Sequence, residues 1–356
     1  MKIKYLIDKC TKRYISFMRK NKLEKYDKKI CALHKEWEEL DRNELKVVRE
    51  DKYAYKIFKN VFGEDFEYFV SDVLYQNVIL PKLNFANYMP SGRFCAEHDY
   101  FIDKNYQEFF MKKLHPPKCV LHNINGNFYG TNFVKISKDD AMKLLLQYNK
   151  LVFKNSLETG HGKDVSLIGR NEFNSILDGK KDYMIQEVLE QHESLVYYNA
   201  SSVNVIRITT LFWKGNVYVL GGILRIGPPG SFCDLIPKGG KFPLIISINE
   251  NGKLGSKAID CENWKLYDNV WGKKIQGCIL KYEEMKEKVK DEHLKYPKHG
   301  IIGWDLTLDK DANIRCIEYN VRCPGVMQSQ YALGAIFSQS SVDGNALLDE
   351  ILGDVQ

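Results

Sequence analysis

The sequence has no long apolar run, and this absence limits the kinds of protein that it can encode. None of its apolar segments approaches the ~20 residues that a helix needs to cross a bilayer. The opening segment MKIKYLIDKC is interrupted by charge too often for the apolar part of a secretory signal. We therefore expect a soluble, cytoplasmic protein.

Several familiar site motifs are also missing. The nine cysteines are scattered singly with no C-x-x-C, so neither a zinc site nor a disulfide framework is indicated. There is no G-x-S-x-G, no G-x-G-x-x-G after a strand and no H-E-x-x-H, because His192-Glu193 lacks the second histidine. A Walker A alignment on Gly162-Lys163 fails, since it puts Leu157 at the first glycine and Asp164 at the Ser/Thr position.

The composition is that of a folded protein with an unusual charge distribution. Apolar residues make up 44% and charged residues 28% of 356 residues, which suits a packed core and two or three subdomains around a cleft. The net charge is +6, but residues 1–35 carry twelve Lys and Arg against three acidic residues, a net +9. A basic arm therefore precedes a body that is close to neutral.

The basic arm has an apolar stripe at helical spacing, with cations on its other face. Such a helix either packs on the body or lies on an anionic membrane surface, which would give peripheral contact with the inner membrane face. Nucleic-acid binding is not favoured, because no stacking or groove-reading motif follows. The stripe consists of Ile3, Leu6, Ile7, Cys10, Tyr14, Phe17 and Met18.

Periodicity along the rest of the chain predicts mixed helices and strands. Residues 36–80 read as helical, ending near Pro81, and short strands follow around 118–134. Further helices are predicted near 138–149, 170–178, 281–296 and 344–353, and strands at 151–154, 165–168 and 183–189. Two long hairpins are predicted, 203–213 with 217–227 and 301–308 with 314–320.

The second hairpin carries a cluster of polar residues. If Leu308 pairs with Arg315, Asp305 lies opposite Glu318 and Asn320 lies opposite Gly303. Two facing carboxylates and an amide oxygen suit Mg²⁺, and without a cation the two like charges would destabilise the hairpin. The alternative is a solvated polar sheet face, which the surrounding Ile, Cys and Trp residues disfavour.

Two other groups of cationic residues lie in sequence patterns that are typical of anion-binding sites. Lys154 ends a buried strand before a loop with Gly160 and Gly162, as in phosphate-binding turns, although a solvated lysine beside a glycine turn would look the same. In the first long hairpin, a turn at 214–216 places Arg207 and Arg225 on one side. Two close guanidinium groups need an anion between them, such as a triphosphate or acyl phosphate, unless they are independent surface arginines.

These residues, in this order, resemble the ATP-grasp superfamily, and in particular its sugar-transfer-associated branch, over about residues 98–335. The most specific part is Glu318-Tyr-Asn320-Val-Arg322, similar to the family's E-x-N-x-R, with SSVNVIRITTL at 201–211 as a second likeness. The resemblance implies an α+β fold in which two α/β subdomains grip ATP behind an N-terminal helical extension. The implied division is 1–83 for the basic helical region, 84–185 for the first subdomain and 186–356 for the second.

The resemblance also implies roles for single residues. It predicts Mg²⁺ ligands at Asp305, Glu318 and Asn320 and contacts to phosphate or intermediate from Arg322 and Arg207. Arg225 is predicted to join them because of its place beside Arg207 in the hairpin. It predicts ATP contacts from the phosphate lysines, the adenine hinge and a ribose acid, which are Lys104, Lys154, Glu187, Val188, Leu189 and Glu193. The loop after Lys154 departs from the family, because it has only two glycines and contains Glu158.

The function that the resemblance implies is an ADP-forming ligase that joins a small-molecule or glycan carboxylate to an amine through an acyl phosphate, in polysaccharide tailoring. A kinase on the same fold, with a hydroxyl acceptor, is one alternative. A non-catalytic nucleotide-binding scaffold is another, which the intact set of metal ligands disfavours. The sequence identifies neither substrate nor oligomeric state.

Overall fold

The computed structural model of the chain describes Tyr75 and residues 79–84, 102–157, 165–234, 238–262, 265–322, 324–334 and 336–338. The helices are α1 (Leu80–Leu83), α2 (Lys104–Phe110), α3 (Lys138–Leu145), α4 (Phe173–Gly179), α5 (Glu193–Val196), α6 (Tyr282–His293) and α7 (Met327–Leu333). The strands are β1 (Cys119–Ile124), β2 (Asn127–Tyr129), β3 (Lys135–Ile136), β4 (Lys150–Asn155), β5 (Val165–Gly169), β6 (Tyr183–Glu187), β7 (Val205–Trp213), β8 (Asn216–Ile226), β9 (Leu244–Ile248), β10 (Leu254–Asp260), β11 (Leu266–Tyr267), β12 (Asn269–Val270), β13 (Lys273–Lys274), β14 (Ile301–Leu308) and β15 (Ile314–Asn320). Two antiparallel sheets form the framework, one of six strands in the order β3-β2-β1-β6-β4-β5 and one of seven in the order β11-β10-β9-β8-β7-β14-β15.

The six-stranded sheet has one apolar face and one mixed face. Leu121, Ile185 and Phe153 lie side by side across β1, β6 and β4, and they join the core that α3 and α4 cover. Because side chains alternate along a strand, Lys154 points to the opposite face from Phe153. The predicted strand 151–154 and the helices near 138–149 and 170–178 are confirmed.

The seven-stranded sheet has the same division of faces. Ile206, Leu224 and Trp304 belong to the main core, where α6 covers the sheet through Met285 and Val289. Strand β14 pairs with both β7 and β15, so the two predicted hairpins lie side by side in one sheet. The strands β9 to β13 were not predicted.

Two consecutive glycines in β8 let helices approach both faces of this sheet. A Cβ at Gly221, whose φ is +138°, would lie 2.5 Å from Leu333 of α7, and a Cβ at Gly222 would lie 2.1 Å from the Tyr282 hydroxyl of α6. A Cβ at either position would force the helix side chain to shift, so the two glycines allow this close packing.

Each predicted hairpin register is right at its functional residues and wrong near its turn. Leu308 pairs with Ile314 instead of Arg315, and a bulge after Asp305 restores the predicted pairing of Asp305 with Glu318. In the first hairpin the turn is the two-residue Lys214-Gly215, both with positive φ, and a bulge again restores the pairing of Val205 with Arg225.

Residues 79–84 pack on the second sheet. Pro81 lies in the first turn of α1 and does not end a helix, since proline is tolerated where the amide would be unpaired. Asn84 Nδ2 donates to the carbonyls of Ile301 and Val321, at 2.9 and 2.7 Å, and so ties this segment to β14 and β15. The basic arm, the loop with Gly160 and Gly162, and the helix predicted at 344–353 lie outside the described residues.

A buried polar chain links α6 to the sheet. Trp304 Nε1 donates to Thr210 Oγ1 at 2.8 Å, Thr210 Oγ1 lies 2.7 Å from His293 Nδ1, and His293 Nε2 lies 2.5 Å from the His299 carbonyl. In a consistent arrangement the threonine hydroxyl donates to Nδ1 and Nε2–H donates to the carbonyl, so the imidazole is neutral. Burial lowers the pKa of His293 to about 4, against the opposing effect of the His299 hydrogen bond.

We expect this histidine to make the free energy of unfolding depend on pH. The unfolded imidazole takes up a proton near pH 6.5 and the folded one near pH 4, so the unfolded state binds more protons between these values. Stability should be complete above pH 6.5 and fall by up to about 3 kcal/mol as the pH drops to 4. Urea unfolding of wild type and His293→Gln across this range measures the effect.

The control for this prediction is His115→Asn, which removes an exposed histidine. It should keep the wild-type dependence on pH, whereas His293→Gln should flatten it. Parallel curves for wild type and His293→Gln would contradict the assignment.

None of the helices in the described part of the chain has the length and apolar character to cross a bilayer.

Candidate functional site

Charged side chains cross the seven-stranded sheet in a row, on the face opposite the main core. Arg207 of β7 is directly opposite Asp305 of β14, which is directly opposite Glu318 of β15. Arg225 of β8 is the cross-strand partner of Val205, two residues before Arg207, and so faces the same side. Four neighbouring strands therefore present two arginines and two carboxylates on one face.

Asp305 is held between the two arginines. Arg207 donates to both of its oxygens, from Nε to Oδ1 at 2.5 Å and from Nη2 to Oδ2 at 2.7 Å. Arg225 Nη2 donates to Oδ1 at 2.8 Å. Both arginines are buried, with 8% and 3% of their surface exposed, so the alternative of independent surface arginines is wrong. The predicted anion was a triphosphate or an acyl phosphate, whereas the anion that pairs with both arginines in the structure is the Asp305 carboxylate.

The arginines keep the carboxylate ionised despite its burial. Burial raises the pKa of Asp305, but the charges and hydrogen bonds of Arg207 and Arg225 outweigh it and lower the pKa to about 2. Asp234, in the loop after β8, lies 2.8 Å from Arg225 Nε as an ion pair without hydrogen-bond alignment. Burial raises the pKa of Asp234, while Arg225 opposes the rise. Arg225 thus has a carboxylate on either side.

Space for the Arg207 guanidinium comes from a glycine. A Cβ at Gly303 would lie 3.0 Å from Arg207 Nη1, closer than nearly all real Cβ contacts. Gly303 is the cross-strand partner of Asn320, as predicted, and Asn320 Nδ2 donates to Asp305 Oδ2 at 3.2 Å. The three predicted metal ligands therefore share one face of the β14–β15 hairpin.

Two buried lysines approach this row from the six-stranded sheet. Lys104 Nζ lies 3.2 Å from Glu318 Oε1, and its backbone amide donates to the Ser156 carbonyl just after β4. Lys154 is 7% exposed; burial lowers its pKa, Glu318 opposes this and Lys104 adds to it. Both lysines are therefore buried near Glu318, at the end of the row.

Helix α2 joins the two sheets and so sets the position of Lys104. The Asp103 carboxylate caps the helix by accepting from the Asn105 amide at 2.9 Å. Gln107 Nε2, one turn later, donates to the Tyr319 carbonyl of β15 at 3.3 Å. Lys104 is thereby fixed at the first residue of a helix that touches both sheets, and its side chain reaches Glu318.

The predicted adenine hinge is the segment that connects the two sheets. Glu187 ends β6, Val188 is exposed, Leu189 is half-buried, and Gln191 already pairs with Asp309 beyond β14. Exposed Glu193 begins α5 two residues later.

Arg315 ties this segment to the β14–β15 hairpin. Its Nη2 donates to Glu187 Oε1 at 3.2 Å and to the Pro116 carbonyl at 3.3 Å, and its Nη1 donates to Asp309 Oδ2 at 3.3 Å. Glu187 Oε1 also accepts from the Lys118 amide at 3.1 Å. The Glu187 side chain therefore belongs to a link between three segments.

Sequence reasoning missed some of this site and left one residue apart from it. Arg315 and Gly303 were not predicted as site residues, because each lies against a residue far away in the sequence, Glu187 for Arg315 and Arg207 for Gly303. Arg322 follows β15 by two residues and is exposed, so it does not share the burial of Arg207 and Arg225. Among the described residues, no group of three His, Cys, Asp or Glu side chains forms a metal cluster; the candidate set is two carboxylates and an amide.

A comparison with known protein families identifies the family of this chain. The sequence profile described as sugar-transfer associated ATP-grasp matches residues 131–343, which is more than half of the chain. The chain belongs to this family. Its two-sheet α+β architecture is accordingly an ATP-grasp fold, as predicted, although the predicted N-terminal helical extension lies outside the described part. No curated protein matches the chain.

Solved structures of low sequence identity are similar to this ATP-grasp chain. D-alanyl-alanine synthetase A from Vibrio cholerae has a TM-score of 0.44 at 9% identity, over 71% of this chain and 64% of that one. The ATP-grasp ligase PsnB with its minimal precursor has 0.40 at 11%, over 72% and 63%. The biotin carboxylase domain of 2-oxoglutarate carboxylase from Hydrogenobacter thermophilus, solved with MgADP, ADP and bicarbonate, has 0.39 at 14%, over 65% and 42%. This chain spans less than two thirds of the length of each.

We expect the two carboxylates to differ sharply in their contribution to folding. Asp305→Asn leaves two buried arginines facing a neutral amide, and breaking a buried ion pair costs about 3–5 kcal/mol. Glu318→Gln removes a carboxylate that is itself 28% exposed, although its partner Lys104 is buried, so the loss should be smaller, about 1–2 kcal/mol. Urea unfolding of the two variants at pH 7 measures the difference. Equal losses would contradict the central role of Asp305.

Proposed function

We propose that this ATP-grasp protein is an ATP- and Mg²⁺-dependent ligase that joins a carboxylate to an amine and releases ADP and phosphate. The observation that carries this proposal is the row of Arg225, Arg207, Asp305 and Glu318, with Lys104 against its end. Oxygen ligands for a cation and cations for phosphate oxygens lie there side by side, between two sheets joined by a hinge.

The donor set fits Mg²⁺. Asp305, Glu318 and Asn320 offer hard oxygen donors from one face, and Asp305 is ionised at neutral pH because its pKa is about 2. These three residues would hold the metal. When bound, Mg²⁺ would neutralise negative charge on the ATP phosphates and stabilise the charge that develops on the leaving ADP.

The residues proposed to bind ATP lie on the first sheet, on α2 and on the hinge. Lys104 and Lys154 would bind phosphate oxygens, since each is a buried ammonium close to the metal-ligand row. The backbone of Glu187, Val188 and Leu189 would meet the adenine. The Glu193 carboxylate, at the first residue of α5, would accept from the ribose hydroxyls.

The reaction has two steps. A substrate carboxylate oxygen attacks the γ-phosphorus, the bond to the β-phosphate oxygen breaks, and ADP and an acyl phosphate result. The amine nitrogen then attacks the acyl carbon, phosphate leaves, and the nitrogen loses a proton to give the amide. Arg207, Arg225 and Arg322 would stabilise the anionic oxygens in both steps, as preorganised cations in a water-poor cleft do.

The proposed substrate class rests on the family. The family description links the chain to sugar transfer, so we propose a carboxylate on a sugar or glycan as the acid, tailored during polysaccharide assembly. The cytoplasm and a cytoplasmic membrane face are the proposed sites of action.

The test is ADP release by the purified protein across uronic acids and amine acceptors, with product analysis by mass spectrometry. A condensed amide product would support the ligase. A phosphorylated product would replace it with a kinase, and ATP binding without turnover on any pair would favour the scaffold.

We expect Glu318→Gln to abolish turnover and leave the protein folded. The change removes the charge of a proposed metal ligand but little volume, and Glu318 is only partly buried. Initial rates at limiting Mg²⁺ measure the effect. Glu284→Gln, which removes an exposed glutamate paired with Lys288 on α6, is the control and should keep the wild-type rate. Unchanged activity in Glu318→Gln would end the proposed metal role.

We expect Lys154→Met to weaken ATP binding by about 1.5–3 kcal/mol, the range for a charge-assisted hydrogen bond. Calorimetric titration with a non-hydrolysable ATP analogue measures this. Lys150→Met provides a control at the exposed, opposite end of β4, where no change is expected. Equal affinity in wild type and Lys154→Met would reject the phosphate contact.

A further inference from the structure

We propose that the site takes up the divalent metal and the nucleotide by an exchange of ion-pair partners, so that neither binds well without the other. This inference rests on the proposed function and adds a binding property to it. Its basis is that each carboxylate proposed as a metal ligand is paired with a cation proposed as a phosphate or intermediate ligand.

The first pairing is at Asp305. Both oxygens of this carboxylate accept from Arg207, and Oδ1 also accepts from Arg225, all within 2.5–2.8 Å. A metal ion that binds these oxygens must displace at least one guanidinium group. That group must then find another anion, because an unpaired buried charge is costly.

The second pairing is at Glu318. Its Oε1 lies 3.2 Å from Lys104 Nζ, and Lys104 is 6% exposed. A metal at Glu318 would leave this buried ammonium without the carboxylate. A phosphate arriving at Lys104 would likewise compete with Glu318.

The charge of the cluster favours joint uptake. Four cations, Arg207, Arg225, Lys104 and Lys154, face three carboxylates, Asp305, Glu318 and Asp234, so the net charge of these seven groups is +1. A free divalent cation therefore meets a positive cluster whose carboxylates are engaged. When the metal arrives together with phosphates, the carboxylates bind the metal and the cations bind the phosphates. Each charged group then still has a partner of opposite charge.

The geometry identifies Arg207 as the arginine that changes partner. Arg225 has a second carboxylate, Asp234, at 2.8 Å, which holds it when Asp305 is taken by a metal. Both hydrogen bonds of Arg207 within the described residues go to Asp305. Gly303 beside it has no side chain to restrict the guanidinium, since a Cβ there would lie 3.0 Å from Nη1.

The exchange makes an unusual prediction: removing a cation should improve metal binding to the nucleotide-free protein. Mn²⁺ is the probe, and electron paramagnetic resonance measures its free concentration. Lys104→Gln and Arg207→Gln should each bind Mn²⁺ without nucleotide about tenfold more tightly than wild type, because one competing charge near the metal is gone. The same variants should bind ADP more weakly than wild type in the presence of Mn²⁺.

The matched control is Lys257→Gln, which removes an exposed lysine that pairs with Asp268. It should leave both affinities at their wild-type values. Thermal unfolding of each variant reports whether it is folded. Lys104→Gln removes the partner of Glu318 and Arg207→Gln removes a partner of Asp305, so the test remains valid if one of the two variants does not fold.

The outcomes separate this inference from the proposed function. Tight Mn²⁺ binding in both folded variants, with weaker ADP binding, supports the exchange. Wild type that binds Mn²⁺ and ADP together, with no gain in nucleotide-free Mn²⁺ affinity in either variant, overturns the exchange and leaves the proposed function standing. Wild type that binds no ADP even with Mn²⁺ overturns both.

Discussion

The structure depends on a buried carboxylate that has two arginines around it. Asp305 is the residue on which β7, β8, β14 and β15 converge, and its charge is the reason that two guanidinium groups can be buried on the same sheet face. Removing a charge from a buried pair exposes the other to the full cost of desolvation. The position of Arg225, and through it of Asp234, therefore follows from the ionisation of one side chain.

The two faces of the seven-stranded sheet divide the tasks of stability and chemistry. Ile206, Leu224 and Trp304 lie in the core, and their neighbours along the same strands, Arg207, Arg225 and Asp305, point to the other side. The alternation of side chains along a strand makes this division without any additional element. Fold and site are thus encoded in the same short segments.

The sequence predicted much of this local order, and the reasons for its failures are physical. Both long hairpins were found because their apolar alternation is strong. In the β14–β15 hairpin, Cys316 and Tyr319 both lie in the core although they are three residues apart, which a regular strand does not allow. The bulge at Ile317 provides the change of face and keeps Glu318 opposite Asp305. An attentive count of the apolar positions would have shown the need for a bulge.

The pairing of β7 with β14 could not be predicted in this way. Arg207 and Asp305 are 98 residues apart, and no local signal specifies which hairpin edge meets which. The sequence therefore indicated that the two arginines need an anion, but it pointed to a phosphate group, and only the tertiary structure shows the Asp305 carboxylate there. Helix α2 was different, because the Asp103 cap was visible in the sequence and was passed over.

Arg315 connects the segment between the two sheets to the strand that carries Glu318. It sits near the start of β15 and bonds to Glu187 of the hinge, and three residues further along the same strand Glu318 faces Asp305. A strand rises about 3.3 Å per residue, so the two positions are on the order of 10 Å apart on one stiff segment. A shift of Glu187 against the second sheet would therefore act on the same strand that positions Glu318 opposite Asp305.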